Sequence, residues 1–138
     1  MFELLIVDGY NIIKRWKKLR SFSNKSLDFG RESLIRLLSN YQDFTGKEVK
    51  VIFDGSKGKD LYYGLTDVEV IFSGQGKSAD EFIERLVYLS KEKSKICVAT
   101  SDRMIRMMVE WMGAKSMSAE ELEKELKMGR SDNVGDNK

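Results

Sequence analysis

Three aspartates follow short apolar runs in this chain. Asp8 and Asp54 each stand between an apolar run and a glycine that lets the chain turn, and Asp102 follows a third apolar run after a Thr-Ser pair. An acid at the end of a buried strand is unfavourable unless water, a donor or a cation meets it. Because parallel strands bring their carboxyl ends to one edge, we expect these carboxylates to converge. The simplest way to offset the repulsion among these carboxylates is a divalent cation bound by their oxygen atoms.

Two more acids lie where a helix follows another predicted strand. Ser78 and Glu81 have the spacing of a capping box that opens this helix. Asp80 and Glu84 are four residues apart and share one helix face. Acids in a first turn are also favoured by the helix dipole alone, but this helix starts at the same sheet edge. The predicted metal ligands are therefore Asp8, Asp54, Asp80, Glu84 and Asp102.

Short apolar runs alternate with helical patterns along the whole chain, which predicts a βαβ series around a parallel sheet. The predicted strands cover residues 4–7, 49–53, 67–72 and 96–99, with a short edge strand at 114–117. The sequence thus predicts an α/β fold of three layers, α/β/α, with a central parallel sheet. One domain is expected over residues 1–128, followed by a polar, disordered tail at 129–138.

Composition is that of an ordinary globular protein, since 41% of the 138 residues are hydrophobic and 33% are charged. No apolar stretch approaches the roughly 20 residues that span a bilayer, so no membrane association is expected. No basic segment precedes an apolar one at the start, which predicts the absence of a signal peptide. Cys97 is the single cysteine and lies in a predicted strand. These features predict a protein of the reducing cytoplasm.

The chain contains no histidine. This excludes Ser-His and Cys-His catalysis, and with one cysteine it also excludes the usual zinc sites. Carboxylate and metal chemistry remains as the main possibility. Several carboxylates that hold one or two Mg²⁺ or Mn²⁺ ions suit the hydrolysis of phosphodiesters.

The net charge of +2 is too small to indicate a polyanionic partner, but the cations are clustered. One cluster lies on the first predicted helix, residues 12–20, whose apolar side is formed by Ile12, Ile13, Trp16 and Leu19. Another lies in the loop after Asp54, and a lysine precedes the helix of Asp80. These positions are predicted to contact phosphates, although a solvated helix face and an exposed loop are equally ordinary explanations. The predicted phosphate contacts are Lys14, Arg15, Lys17, Lys18, Lys57, Lys59, Lys77 and Arg103.

Four segments together resemble one known family. They are Ile6–Asn11, Phe53–Gly55, Ser78–Glu84 and Thr100–Arg103, and they occur in family order between about residues 4 and 126. They resemble NYN-domain proteins, and more closely the YacP-like branch of the PIN-like nuclease superfamily. The resemblance implies a PIN-like fold and a metal-dependent endoribonuclease. It also implies cleavage of mRNA, in association with the ribosome.

The resemblance further implies roles for individual residues. Asp8 and Asp80 would be the principal metal ligands, Asp102 a third, and Asn11 would orient Asp8 or contact the scissile phosphate. Asp54 matches an acid of the family pattern.

The end of the family's helix motif falls at Glu84, which would bind or support the metal. Glu81 departs from the pattern, because many relatives have a second aspartate there.

Two other functions fit the residues. One is a non-catalytic module that binds RNA or ribosomes and keeps a vestigial acidic site. The other is a metal-dependent phosphatase for a small phosphoester. A binding module has no need to gather negative charge beside RNA, and a phosphatase explains the basic segments less well.

Overall fold

The computed structural model describes residues 1–23, 26–55 and 66–136 of the chain. Within them, the strands are β1 (Leu4–Asp8), β2 (Glu48–Phe53), β3 (Glu69–Phe72), β4 (Ile96–Ala99) and β5 (Lys115–Met117). The helices are α1 (Gly9–Arg15), α2 (Lys17–Ser23), α3 (Leu27–Thr45), α4 (Ala79–Leu89), α5 (Arg103–Trp111) and α6 (Ala119–Asp136). None of these helices combines the length and the apolarity that crossing a membrane requires.

The strands form one parallel sheet in the order β3-β2-β1-β4-β5. The chain first builds outward from β1 through β2 to β3, and then crosses back to place β4 on the other side of β1. The strand order therefore reverses between β1 and β4. In open α/β sheets, the crevice at the carboxyl ends of two such strands is where ligands bind.

Alternation of side chains along the strands divides the core into two layers. Leu5 and Val7 face α1, α2, α3 and α6, whereas Ile6 faces α4 and α5. Both faces of the sheet are thus covered by helices, as buried parallel sheets require. The predicted three-layer α/β/α fold is confirmed.

The first predicted helix is two helices in the structure. Trp16 adopts an extended conformation between α1 and α2, and its indole Nε1–H donates to the carbonyl of Ala119 at 2.8 Å. The predicted apolar side is nevertheless buried, at Ile12, Ile13, Trp16 and Leu19. The break in the helix accompanies the contact that the indole makes with the start of α6, which periodicity alone cannot reveal.

The last helix is longer than the sequence predicts. The sequence predicts a disordered tail at 129–138, but α6 continues to Asp136, so the backbone is helical up to that residue. The chain has no proline to interrupt the helix, and each added residue contributes a hydrogen bond once the helix has begun. Glycines at 129 and 135 lower helix propensity by about 1 kcal/mol each, but α6 passes through both positions.

Gly9 is required for packing rather than for a turn. It is the first residue of α1, and its φ is not positive. A Cβ at this position would lie 2.3 Å from Cε1 of Phe53 and 3.0 Å from the carbonyl oxygen of Ile52. The glycine therefore allows α1 to begin directly against β2, immediately after Asp8.

We expect Gly9→Ala to lower the free energy of unfolding by about 1–3 kcal/mol, because the new methyl group overlaps the Phe53 ring. Urea denaturation measures the loss. In a double-mutant cycle, Phe53→Leu should recover part of it, since the smaller side chain leaves room for the methyl group. Strict additivity of the two changes would show that the ring contact is not the cause.

Candidate active site

Asp8 is the buried acid at the centre of the site. It is the last residue of β1 and only 6% exposed. Alternation from Ile6 places its side chain on the sheet face that α4 and α5 cover. The hydroxyl of Thr100, which follows β4, donates to Oδ2 of Asp8 at 2.9 Å. This carboxylate thus joins the ends of β1 and β4, the neighbouring strands between which the strand order reverses.

Asp54 and Asp80 are positioned together by the start of α4. Asp54 follows β2, and its Oδ1 accepts a hydrogen bond from the backbone N–H of Ala79. Ser78 caps the same helix, because its Oγ accepts from the N–H of Glu81 at 3.2 Å. Asp80 lies in the first turn and is exposed. The side chain of Asp54 thereby holds the helix that carries Asp80 at the sheet edge.

Asp102 is the N-cap of α5. Its Oδ1 accepts hydrogen bonds from the N–H groups of Met104 at 2.9 Å and Ile105 at 3.2 Å. Its own N–H donates to Oγ1 of Thr100 at 3.1 Å. Thr100 thereby links Asp8 with Asp102.

The four aspartates are close enough to repel one another. The pKa of Asp8 is raised from an ordinary value of 3.8 to about 6. Burial is the largest cause, and the charges of Asp80, Asp54 and Asp102 also raise the pKa, whereas the Thr100 hydrogen bond lowers it. The pKa of Asp80 is also raised, by the partial loss of solvent around its carboxyl group and by the charges of Asp102 and Asp54. Perturbed acids at a sheet edge are typical of functional sites.

Asn11 and Glu84 are the two other predicted site residues. The Oδ1 atom of Asn11 accepts from the N–H of Ser101 at 2.8 Å, so this side chain fixes the loop after β4 rather than Asp8. Glu84 lies one turn beyond Asp80 and lines with it a cavity of about 200 Å³. It is not among the acids whose charges raise the pKa of Asp8. The structure therefore groups the four aspartates and sets Glu84 at their margin.

The four aspartates offer carboxylate oxygens, which are the ligands that a hard divalent cation prefers. For Asp8, Asp54 and Asp102, the side-chain hydrogen bonds from described residues all reach one of the two carboxylate oxygens. Oxygen ligands of this kind suit Mg²⁺ and Mn²⁺. Within residues 1–23, 26–55 and 66–136, however, no three acids already have the spacing of a coordination shell. Metal binding therefore stays a prediction.

The predicted basic contacts near α1 and α2 are at the surface. Lys14, Lys17 and Lys18 are exposed. Arg15 is also accessible, but its Nε lies 3.7 Å from a carboxylate oxygen of Glu120 on α6. The lysines are therefore the more available cations on this side of the molecule.

Other predicted basic contacts flank the aspartates. Lys77 lines a cavity of about 340 Å³ together with Arg85, beside the start of α4. Arg103 is exposed and directly follows Asp102. Lys57 and Lys59 lie outside the described residues.

Thr100 is the site residue that sequence reasoning missed as a partner of Asp8. It is fully buried, with 0% exposure, and it follows Ile96 and Val98 in the alternation of β4, which places all three on one face. The alternation of side chains could have revealed this contact in the sequence. Ile6 and Asp8 in β1 lie on the same face of the sheet as Val98 and Thr100, so the two polar side chains meet at neighbouring strand ends.

Fold and site together are those of a PIN-like nuclease domain: a parallel α/β sheet with aspartates at the carboxyl ends of its central strands. The model of the YacP-like NYN domain family matches residues 5–136. The chain therefore belongs to the YacP-like NYN family.

Known relatives agree with this assignment. An uncharacterized protein YacP of Bacillus subtilis is 39% identical over 127 residues, which are 90% of this chain and 75% of that protein. The crystal structure of Rae1 (YacP) from Bacillus subtilis is similar with a TM-score of 0.83 at 35% identity, over 96% of this chain and 78% of that one. A mutant form of the same protein gives a TM-score of 0.79 over 94% of this chain and 78% of its own.

The raised pKa of Asp8 predicts a pH-dependent stability. The folded state binds the Asp8 proton more tightly than the unfolded state, so stability falls as pH rises from about 3.8 to about 6. Above that range the ionised carboxylate costs up to about 3 kcal/mol. In the presence of a chelator, we therefore expect Asp8→Asn to be more stable than wild type near neutral pH, with the difference shrinking toward about pH 4.

Urea denaturation at the two pH values measures this difference. Asp43→Asn is the matched control, because it removes the same charge from an exposed position on α3. If Asp8→Asn destabilises the protein equally at both pH values, the carboxylate is not under electrostatic strain.

Proposed function

We propose that this protein is a metal-dependent endoribonuclease that hydrolyses RNA phosphodiester bonds at the cluster of Asp8, Asp54, Asp80 and Asp102. The observation that carries the proposal is the burial of Asp8 beside three other carboxylates. Such a concentration of like charge is unfavourable in isolation and becomes favourable when a divalent cation is bound. Membership of the YacP-like NYN family supports the same chemistry.

The residues of the chain have distinct tasks in this proposal. Asp8 and Asp80 would be the principal ligands of Mg²⁺ or Mn²⁺, with Asp102 and Asp54 contributing. When bound, such an ion supplies charge stabilisation at the phosphodiester and lowers the pKa of water. Thr100 holds Asp8 through the hydroxyl hydrogen bond, which fixes one oxygen and leaves the other for a ligand.

In this proposal Asn11 positions other residues of the site and does not itself contact the scissile phosphate. Its side chain accepts the N–H of Ser101, and Ser101 Oγ accepts the N–H of Ala119 at 2.9 Å. These bonds connect α1, the loop after β4 and the start of α6. Since Asp102 lies in that loop, Asn11 helps to keep Asp102 beside Asp8.

Exposed cations would hold the remainder of the RNA. Lys14, Lys17 and Lys18 offer one basic surface, and Lys77 and Arg103 flank the acids. Phosphate contacts of this kind are independent of sequence and weaken as the salt concentration rises. Cleavage of mRNA in association with the ribosome is the more specific form of the proposal, and it follows from the family resemblance.

We expect Asp8→Asn and Asp80→Asn each to lower the cleavage rate of an end-labelled mRNA by at least about 100-fold, because each removes a carboxylate ligand of the ion that would stabilise the reacting phosphate. The assay is run with Mg²⁺ or Mn²⁺, with and without translating ribosomes. A chelator should abolish cleavage by wild type. The ribosome lanes report how the substrate is presented.

Asp43→Asn again serves as the charge-matched control and should cleave like wild type. Cleavage retained by both active-site variants would contradict the assignment of the site. No cleavage in any lane, with salt-sensitive RNA or ribosome binding intact, would favour the non-catalytic binding module. Turnover of a small chromogenic phosphate without RNA cleavage would favour the phosphatase.

A further inference from the structure

A groove between α4 and α5 begins at the acid cluster. Its first part is the cavity of about 200 Å³ lined by Asp80, Glu84, Met104, Ile105, Met108 and Val109. Its second part measures about 630 Å³ and is lined by Glu84, Tyr88, Lys93, Met108, Trp111 and Met112. Because Glu84 and Met108 line both parts, the groove is continuous from the aspartates to the far ends of the two helices.

Helix geometry sets the length of the groove. Asp80, Glu84 and Tyr88 are successive i, i+4 positions of α4 and share one face. At a rise of about 1.5 Å per residue, Tyr88 lies roughly 12 Å along the helix from Asp80. On α5, Met104 and Met108 are four residues apart and Met108 and Trp111 are three apart, so these side chains also share one helix face that leads away from Asp102.

The far end of the groove presents large side chains to solvent. Trp111 is 88% exposed and Tyr88 is 68% exposed, and Met104 near the acids is 71% exposed. The other tryptophan, Trp16, is buried at 5% exposure. Exposed side chains of this size that adjoin one another mark interaction surfaces.

We propose that this groove binds the bases of single-stranded RNA next to the scissile phosphodiester, with Trp111 and Tyr88 as stacking platforms. This inference rests on the proposed function, because it assigns the path by which RNA leaves the acid cluster. Aromatic side chains stack on any base and therefore suit a substrate without sequence preference. The methionines offer an adaptable apolar wall to bases of different size.

Charge in the groove favours bases over phosphates. Glu84 lies midway along it and repels phosphate, while its carboxylate can accept hydrogen bonds from the amino groups of bases. The ammonium of Lys93 is held at the far end, where Nζ donates to the carbonyl of Ser90 at 2.7 Å. The bases would thus face the groove, and the backbone would lie outside it, close to Lys93 at one end and Arg103 at the other.

This arrangement selects for single strands. In a duplex, each base is stacked and paired, so its face cannot reach Trp111 or Tyr88. A second copy of the chain or a partner helix is the competing occupant of such a groove, and the groove's continuity with the aspartates favours RNA. Duplex RNA of the same sequence therefore serves as the control ligand.

Tryptophan fluorescence reads the contact directly. In the Asp80→Asn background, which prevents cleavage, a short unlabelled single-stranded RNA should quench the emission of Trp111, and the duplex should quench it far less. Trp16 is shielded and contributes a constant background. Trp111→Phe should abolish the quenching but keep RNA affinity within about twofold, since the phenyl ring still stacks.

Affinity is measured in parallel by fluorescence anisotropy with a labelled RNA. We expect Trp111→Ala and Tyr88→Ala each to weaken binding about tenfold. Leu89→Ala is the matched control, because Leu89 is 67% exposed beside Tyr88 but is not a lining residue of the groove. An effect of Trp111→Ala no larger than that of Leu89→Ala, or RNA binding without quenching, would overturn the inference.

Cleavage kinetics separate this inference from the proposed function. If wild type cleaves RNA and Trp111→Ala raises KM with little change in kcat, both stand. If wild type cleaves and the variant is unchanged, only the groove assignment fails. If RNA quenches Trp111 without any cleavage by wild type, only the nuclease proposal fails. If the wild-type protein self-associates and Trp111→Ala abolishes that association without changing RNA affinity, the groove binds a second copy of the chain and the inference is overturned.

Discussion

The burial of one carboxylate at the end of β1 is the constraint on which the rest of the site depends. Asp8 must be met by a donor and a cation or take up a proton, because an isolated buried charge is strongly unfavourable. Thr100 supplies the donor. The charges of three more aspartates also raise the pKa of Asp8. At neutral pH, where Asp8 would be ionised, a bound cation would offset the repulsion among the four carboxylates. The fold is arranged to keep these acids together.

Asp54 and Asp102 are each held by the helix that they help to begin. Asp54 accepts the first N–H of α4, and Asp102 caps α5. Gly9 lets α1 start against Phe53 immediately after Asp8. The same hydrogen bonds that begin the helices therefore also orient the carboxylates. A substitution at one of them would disturb both local folding and the geometry of the acids.

Much of the fold and the aspartate cluster could be predicted from periodicity. Apolar runs that end in acids indicated parallel strands with a common edge, and the three-layer fold is confirmed. Contacts between distant segments could not be predicted, because they depend on packing that no local pattern encodes. The hydrogen bond from Trp16 to α6 and the bond between Asn11 and Ser101 are of this kind.

The most direct test of the account is a titration of Mn²⁺ followed by electron paramagnetic resonance. We predict saturable binding to wild type that is lost in Asp8→Asn and retained in Asp43→Asn. Binding should also weaken as pH falls below about 6, because the proton on Asp8 competes with the metal. Mn²⁺ binding that is absent from wild type, or unchanged by Asp8→Asn, would contradict the central claim that the buried aspartate and its neighbours form a metal site.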